Sequence, residues 1–248
     1  ASSGLGREFV NQICKKENLD SIWIIARREE RLLEISKKHP GLMRTIPLDL
    51  TKSESFSSFK AMLEKEKPEI RILVNAAGFG KMGNYQQIYE QDNSDMIDLN
   101  CKALVSMTLL CLPYMTKGSR ILEICSSSAF QPLPSLNMYA STKAFVLSYS
   151  RALRWELFNR GIHVTAVCPY WIKDTEFILI AKDTENSDAI RHFPLASKAK
   201  NVARNALWCS KYNFPVSTPS VVAALQRLIS KIIPREFIIW CWQLIRRI

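Results

Sequence analysis

"IRILVNAAG" spans residues 70–78, a run of isoleucine, leucine and valine broken only by Arg71 and closed by asparagine, two alanines and a glycine. A run this short and apolar, stopped by small residues, reads as a strand buried on both faces. Four other stretches share its form: "SIWIIA" (21–26), "MRTIPLDL" (43–50), "RILEICSS" (120–127) and "IHVTAVCP" (162–169). Longer segments around 6–18, 28–38, 53–66, 92–116 and 140–160 carry helical periodicity between them. Strands alternating with helices predict βαβ units, and so an α/β, doubly wound parallel sheet with helices on both faces.

With 47% apolar and 23% charged residues, the chain has the composition of a folded globule and falls outside the disordered class. No internal repeat or low-complexity linker divides it, so one domain over 1–248 is expected. After Pro169 the rhythm weakens, with prolines at 194, 215, 219 and 234. That marks 170–220 as a less regular excursion and 221–248 as an amphipathic C-terminal segment. The first residues, "ASSGLGREF", are a glycine turn leading directly into a helix. A Rossmann-like sheet places its first, central strand ahead of such a turn, so that strand is expected to be missing from the sequence as given.

The formal charge of +11 points to anionic partners: nucleic acid, a membrane surface or a phosphorylated cofactor. The basic residues are scattered and accompany no zinc-knuckle or RNA-binding signature, so nucleic acid is not expected. Seven cysteines (14, 101, 111, 125, 168, 209, 241) include no CxxC pair and fall in apolar patterns. They read as reduced thiols of a cytoplasmic protein, an expectation that the absence of a signal peptide at the start supports. His39, His163 and His192 are too far apart in sequence for metal-ligand spacing, so no metal is expected.

The late apolar run "FIIWCWQLI" is too short to span a bilayer. The segment around it mixes an apolar face with Arg227, Lys231, Arg235, Arg246 and Arg247. Two readings stand: an interfacial helix that makes weak contact with anionic lipid or closes over an oily substrate, or a helix for packing or subunit contact.

Gly4 and Gly6 allow backbone to approach a pyrophosphate, and the helix opening near Leu5 would aim its N–H groups at that anion. The second strand-like unit ends in "IIARREE", where Arg27 and Arg28 suit a ribose 2′-phosphate and an acid would suit a 2′-hydroxyl. NADP(H) is therefore expected over NAD(H). In "NMYASTKAF" (137–145), Tyr139 and Lys143 are four residues apart, about 40° of rotation and about 6 Å of rise on a helix, so they project from one face. A nearby ammonium favours the phenolate and brings a tyrosine toward proton exchange at neutral pH. Ser126 follows the strand "RILEIC", where open α/β sheets place ligands, and can converge on the same carbonyl oxygen.

Together, "ASSGLG", "LDL", "NAAG", an asparagine within a long helix, a serine thirteen residues before the tyrosine and "YASTK" resemble the short-chain dehydrogenase/reductase family, from Ala1 to about Thr175. The resemblance implies that Ser2, Ser3, Gly4 and Leu5 line the pyrophosphate turn, and that Asp49 and Leu50 flank the adenine. It implies that Asn75, Ala76 and Gly78 border the cofactor's ribose, and that Asn100 anchors a water in the proton relay. Ser126 would orient the substrate carbonyl, Tyr139 would be the catalytic acid/base, and Lys143 would bind the nicotinamide ribose. Pro169 and Thr175 would complete the cofactor contacts. A homodimer or homotetramer paired through the helices at 92–116 and 140–160 is also implied.

"PYWIKDTEF" departs from the family's pattern, with Tyr170 in a glycine position and Asp174 in a threonine position. Tyr170 and Trp171 would form an aromatic wall over cofactor or substrate, or serve as core aromatics. The expected activity is NADP(H)-dependent interconversion of a ketone and a secondary alcohol on a hydrophobic, steroid-like or long-chain acyl, substrate. Two rivals stand: a nucleotide-binding scaffold without turnover, against which intact Ser126, Tyr139 and Lys143 argue, and a membrane-peripheral protein on the same fold, anchored by its C-terminal segment.

Overall fold

Valine and isoleucine in the strand runs pack well on a pleated surface, and the structure pairs these runs into parallel ladders. It is a computed structural model that describes residues 1–184, 189–191 and 193–246; His192 and Arg247 lie outside the described residues. In chain order the first elements are α1 (Gly4–Lys16), β1 (Ile22–Ala26), α2 (Glu29–Lys37), β2 (Met43–Pro47), α3 (Ser53–Glu66) and β3 (Ile72–Asn75). Next come α4 (Glu90–Ile97), α5 (Ala103–Cys111), β4 (Arg120–Ile124), α6 (Asn137–Glu156) and β5 (His163–Val167). The last are α7 (Phe177–Lys182), α8 (Ala199–Lys211), β6 (Val216–Ser217), α9 (Val221–Ile232) and α10 (Arg235–Ile245).

The strands run parallel in two ladders, β1 with β2 and β3-β4-β5-β6, with Ile24 opposite Thr45 and Leu122 opposite both Val74 and Thr165. Between the facing edges of β1 and β3, Ile22, Ile24, Ile72 and Val74 border a cavity of about 230 Å³. No strand occupies that position among the described residues, which is where a Rossmann-like order places its first strand.

Successive strand side chains point to opposite faces, so each strand serves two cores. Leu122 and Val167 pack with Phe9 and Ile13 of α1 and with Val202, Ala206 and Leu207 of α8. On the other face, Ile121 and Val164 pack with Leu153 of α6, and Ala166 with Val146 of α6 and Leu104 of α5. Fully burying a side chain the size of Phe9 or Leu122 contributes roughly 1.5–3 kcal/mol. The continuous helical stretch Glu90–Tyr114 is long and apolar enough to cross a membrane by length and composition. Its buried Met96, Leu104, Met107 and Cys111 face the protein core.

The 170–220 stretch is more regular than its prolines suggest. It contains α8, thirteen residues packed on α1, and β6, which pairs with β5. Asp174 supplies the start of α8: its Oδ1 accepts the Ala199 N–H at 2.8 Å. The C-terminal segment forms two helices divided at Pro234, whose fixed φ starts α10.

Candidate active site

β4 delivers the first candidate group. Beyond Ile124 the chain turns through Ser126, whose Oγ accepts the Ser128 N–H at 3.2 Å and opens a short 3₁₀ turn, Ser127–Phe130. α6 then brings Tyr139, Thr142 and Lys143 to the same place on its buried face. The Ser126 hydroxyl converges on that of Tyr139 and favours its ionised form. Lys143 Nζ donates to the Ile124 carbonyl at 2.8 Å and lies 5.7 Å from the centre of the Tyr139 ring. Asn100 sits in a π-helical turn, Asp98–Lys102, that widens the helix beneath the site. Its side chain clamps Phe79, accepting from the N–H at 3.0 Å and donating to the carbonyl at 2.9 Å, and it donates to Thr142 Oγ1 at 3.0 Å. The four residues expected from the resemblance are therefore gathered at the C-terminal edge of the sheet.

Two glycines make this packing possible. A Cβ on Gly78 would lie 2.7 Å from Asn100 Oδ1, and one on Gly80 would lie 2.7 Å from Tyr139 Cδ2. Gly80 is absent from the sequence-based assignments; its role depends on the ring that folds against it.

Electrostatics differ from the sequence-based expectation in one respect. Burial pushes the Tyr139 phenol up from its ordinary value, and the Ser126 hydrogen bond only partly opposes this. The expected depression of the phenol by Lys143 is absent, because the ammonium is directed to the Ile124 carbonyl and is itself pushed down by burial. Burial thus favours the protonated, neutral phenol in this form of the site.

On the cofactor side, Ser3, Gly4 and Leu5 border the cavity that holds Ser126 and Tyr139, a space of about 190 Å³. An adjoining open cleft of about 570 Å³ runs past Ser2, Ser3, Gly4, Arg7 and Arg31. Ser3 makes no side-chain cap to α1, which leaves first-turn N–H groups for an anion, and Ser128 Oγ is buried without a hydrogen-bond partner among the described residues. These features fit a nicotinamide dinucleotide. Arg27 is exposed at the end of β1, whereas Arg28 donates to Ser3 Oγ and pairs with Glu176 at 3.1 Å. Arg31 pairs with the other oxygen of Glu176 at 2.5 Å. Neither Arg31 nor Glu176 was expected at the site; their pairing depends on α7 folding back over the glycine turn.

Other assigned residues are placed as follows. Ala76 and Gly78 border the cavity that holds Ser126 and Tyr139, as do Pro169, Tyr170, Trp171 and Thr175. Thr175 lies against Gly4, where an added Cβ would be 3.3 Å from Thr175 Cβ. Asp49 instead holds its own turn, accepting from Thr51 N–H at 3.0 Å and Thr51 Oγ1 at 2.8 Å, and Leu50 packs with Ile46 and Phe59. Neither borders the cavity that holds Ser126 and Tyr139. The Asn75 side chain turns away from the cleft, donating to Thr108 Oγ1 at 2.8 Å and to Glu123 Oε2 at 3.0 Å. Glu123 is fully buried in β4, and burial pushes its carboxyl up to about 7.

The substrate side is aromatic. Trp171 packs against Phe193 at 4.8 Å and Phe177 at 6.4 Å between ring centres, and Phe177 meets the Tyr139 ring at 5.3 Å. Leu133, Leu136 and Trp242 continue this wall, with Trp242 Nε1 donating to the Pro134 carbonyl at 2.9 Å. Phe177 and Trp242 had no local signal; they reach the cleft from α7 and α10.

Comparison with known proteins bears on the family and the fold. The model of the short chain dehydrogenase family matches residues 1–185. The chain is 29% identical over 244 residues to the very-long-chain 3-oxoacyl-CoA reductase of Rattus norvegicus, covering 94% of this chain and 73% of that protein. It is 31% identical over 214 residues to sulfoacetaldehyde reductase 2 of Chromohalobacter salexigens, covering 82% of each. A short-chain dehydrogenase from Sphingobium yanoikuyae, solved in complex with NADPH, superposes with a TM-score of 0.77 at 25% identity, covering 94% of this chain and 93% of that one. Family match, fold and convergent side chains lead to one conclusion: the chain belongs to the short-chain dehydrogenases, as an oxidoreductase of carbonyl and alcohol groups.

Proposed function

We propose that this protein uses NADP(H) to interconvert a ketone and a secondary alcohol on a hydrophobic substrate, steroid-like or long-chain acyl. The observation that carries the reading is the convergence of Ser126 and Tyr139 in a cavity walled by Trp171, Phe177 and Trp242. The nicotinamide supplies or accepts the hydride when bound. In reduction, Ser126 donates a hydrogen bond to the substrate oxygen and Tyr139 gives its phenolic proton to it. A phenol held neutral by burial suits that direction. Lys143, fixed on the Ile124 carbonyl, holds its ammonium beside the tyrosine ring, and Asn100 fixes the Phe79 backbone and Thr142 behind it.

The apolar wall supports an oily substrate, and the names of the mammalian relatives point to long acyl chains. Arg27, exposed at the strand end, supports NADP(H) over NAD(H). The test is a ketone panel followed by NADPH absorbance, with Tyr139→Phe as control. Turnover on apolar ketones, abolished in Tyr139→Phe while NADPH still binds, is the expected result. Undiminished turnover in that variant would refute the mechanism.

A further inference from the structure

α9 and α10 carry more large apolar side chains outward than inward. Ala223 is the buried residue of α9 and Ile238 that of α10. Outward from α9 stand Val221, Leu225, Leu228, Ile229 and Ile232, with Val221 76% and Ile232 69% exposed. Their spacing of 4, 3, 1 and 3 residues puts them in one stripe of the helix. From α10, Phe237, Trp240 and Leu244 form a second exposed stripe, with Trp240 59% exposed. Ile238 and Trp242 hold the opposite face of α10 to the protein. A run of exposed apolar side chains this extended marks an interaction surface.

Charge decides between two occupants. Lys231, late in α9, and Arg235, at the start of α10, are exposed and make no ion pair among the described residues. From Val221 onward the sequence holds five basic residues and one acid, Glu236, within a chain of formal charge +11. Two copies meeting on this face would set like charges against one another, whereas an anionic bilayer takes both the apolar stripes and the cations. The inner faces add a functional link: Gln226 of α9 and Trp242 of α10 border the cavity that contains Ser126 and Tyr139. The same two helices therefore face outward to the surface and inward to the reacting groups.

We infer that α9 and α10 form a docking face for the surface of an anionic lipid bilayer, from which an apolar carbonyl substrate reaches the cavity behind Trp242. The lipid contact stands on the exposed helix faces alone; the substrate route rests on the carbonyl-reductase reading. Binding is therefore measured first without cofactor or substrate, by cosedimentation of the full chain with vesicles. At least about a tenfold preference for vesicles with roughly 30% phosphatidylglycerol over pure phosphatidylcholine is expected, weakening with salt. Lys231→Glu with Arg235→Glu should remove most of that preference, and Leu228→Ser with Trp240→Ser should lower binding to both vesicle types. All these side chains are on the surface, away from the reacting groups, so turnover of a small water-soluble ketone should stay unchanged.

A readout on the unmodified chain guards against misfolded variants: brominated lipid should quench its tryptophan fluorescence, and Trp240→Phe should reduce the quenched fraction. The substrate route predicts that the Leu228/Trp240 variant loses rate only on a ketone partitioned into vesicles. Equal, negligible sedimentation with both vesicle types would overturn the docking face. So would a wild-type oligomer that Leu228→Ser with Trp240→Ser converts to monomer without any vesicle binding. Vesicle binding with no turnover on any ketone would instead refute the carbonyl-reductase reading and leave the docking face standing.

Discussion

Glu123→Gln should make the protein more stable above neutral pH and flatten its stability profile. Glu123 is fully buried in β4, and its oxygens contact Thr108 Oγ1 at 2.9 Å and Asn75 Nδ2 at 3.0 Å. Thr108 Oγ1 also contacts the Leu104 carbonyl at 2.8 Å, and one hydroxyl proton cannot serve both oxygens. All contacts are satisfied if Thr108 donates to Leu104 and a protonated Glu123 donates to Thr108. Burial is the larger cause of the raised pKa, about 7 against 4.5 unfolded, with the Asn75 and Thr108 hydrogen bonds and the Lys143 charge opposing it. Cys111 and Tyr149 also feel this carboxylate. A folded-state pKa above the unfolded value means that the folded protein holds the proton longer, so stability falls as pH rises from about 4.5 to about 7 and then levels.

At about 1.4 kcal/mol per pH unit, the loss between pH 5 and pH 8.5 is about 2–3 kcal/mol from this residue. Glutamine reproduces the protonated acid, with Nε2 donating to Thr108 and Oε1 accepting from Asn75, and it does not ionise. Urea unfolding of both proteins from pH 5 to pH 8.5 isolates the contribution, because all other titrating groups are shared. The difference in stability should grow with pH in favour of the variant. A constant difference, or a variant less stable at pH 8.5, would refute the assignment of a protonated carboxyl.

Four further outcomes follow from the same geometry. Gly80→Ala places a Cβ 2.7 Å from Tyr139 Cδ2, so kcat should fall by about tenfold or more with NADPH affinity retained, measured by steady-state kinetics and fluorescence titration. Arg27→Asp should raise the KM for NADPH more than that for NADH; equal changes would remove Arg27 from the 2′-phosphate. Glu176→Gln withdraws the acceptor shared by Arg28 and Arg31, and a lower KM for NADPH is expected if those guanidiniums turn to the cofactor's phosphates. Asp174→Ala removes the acceptor at Ala199 N, costing about 1 kcal/mol and lowering Tm by a few degrees, with scanning calorimetry as the check.

What was legible in the sequence was whatever the chain writes at short range. Tyr139 and Lys143 are one helical turn apart, and Ser126 ends a strand in the family's register, so their meeting follows once α6 packs on β5. The π-turn that carries Asn100 leaves no mark in composition, yet the residue was found because the resemblance supplied it. Long-range partners were hidden. Glu123 in "RILEIC" has the look of a solvent-facing strand residue; only Asn75 and Thr108, from β3 and α5, show why it is buried. Asp174 broke the family pattern because it starts α8, a helix that prolines on either side obscured. Arg28 read as a phosphate ligand, and its pairing with Glu176 depends on a fold-back of 148 residues.

The neutral state of Tyr139 ties these observations to the direction of reaction. Burial raises the phenol and lowers Lys143, and Ser126 alone among the reacting side chains pulls the phenol back. A site arranged this way keeps the phenol protonated across neutral pH, so the proton that reduction consumes is in place and the phenolate that oxidation needs is scarce. Ketone reduction, which consumes the phenolic proton, should then hold a nearly level rate from pH 6 to 9. Alcohol oxidation, which needs the phenolate, should climb with pH over the same interval. Ser126→Ala removes the hydroxyl that favours the phenolate, so it should slow oxidation more than reduction and move the oxidation profile to higher pH. Stopped-flow NADPH absorbance in both directions measures this, and an oxidation rate independent of pH in the wild type would show that the phenol is not the group that titrates.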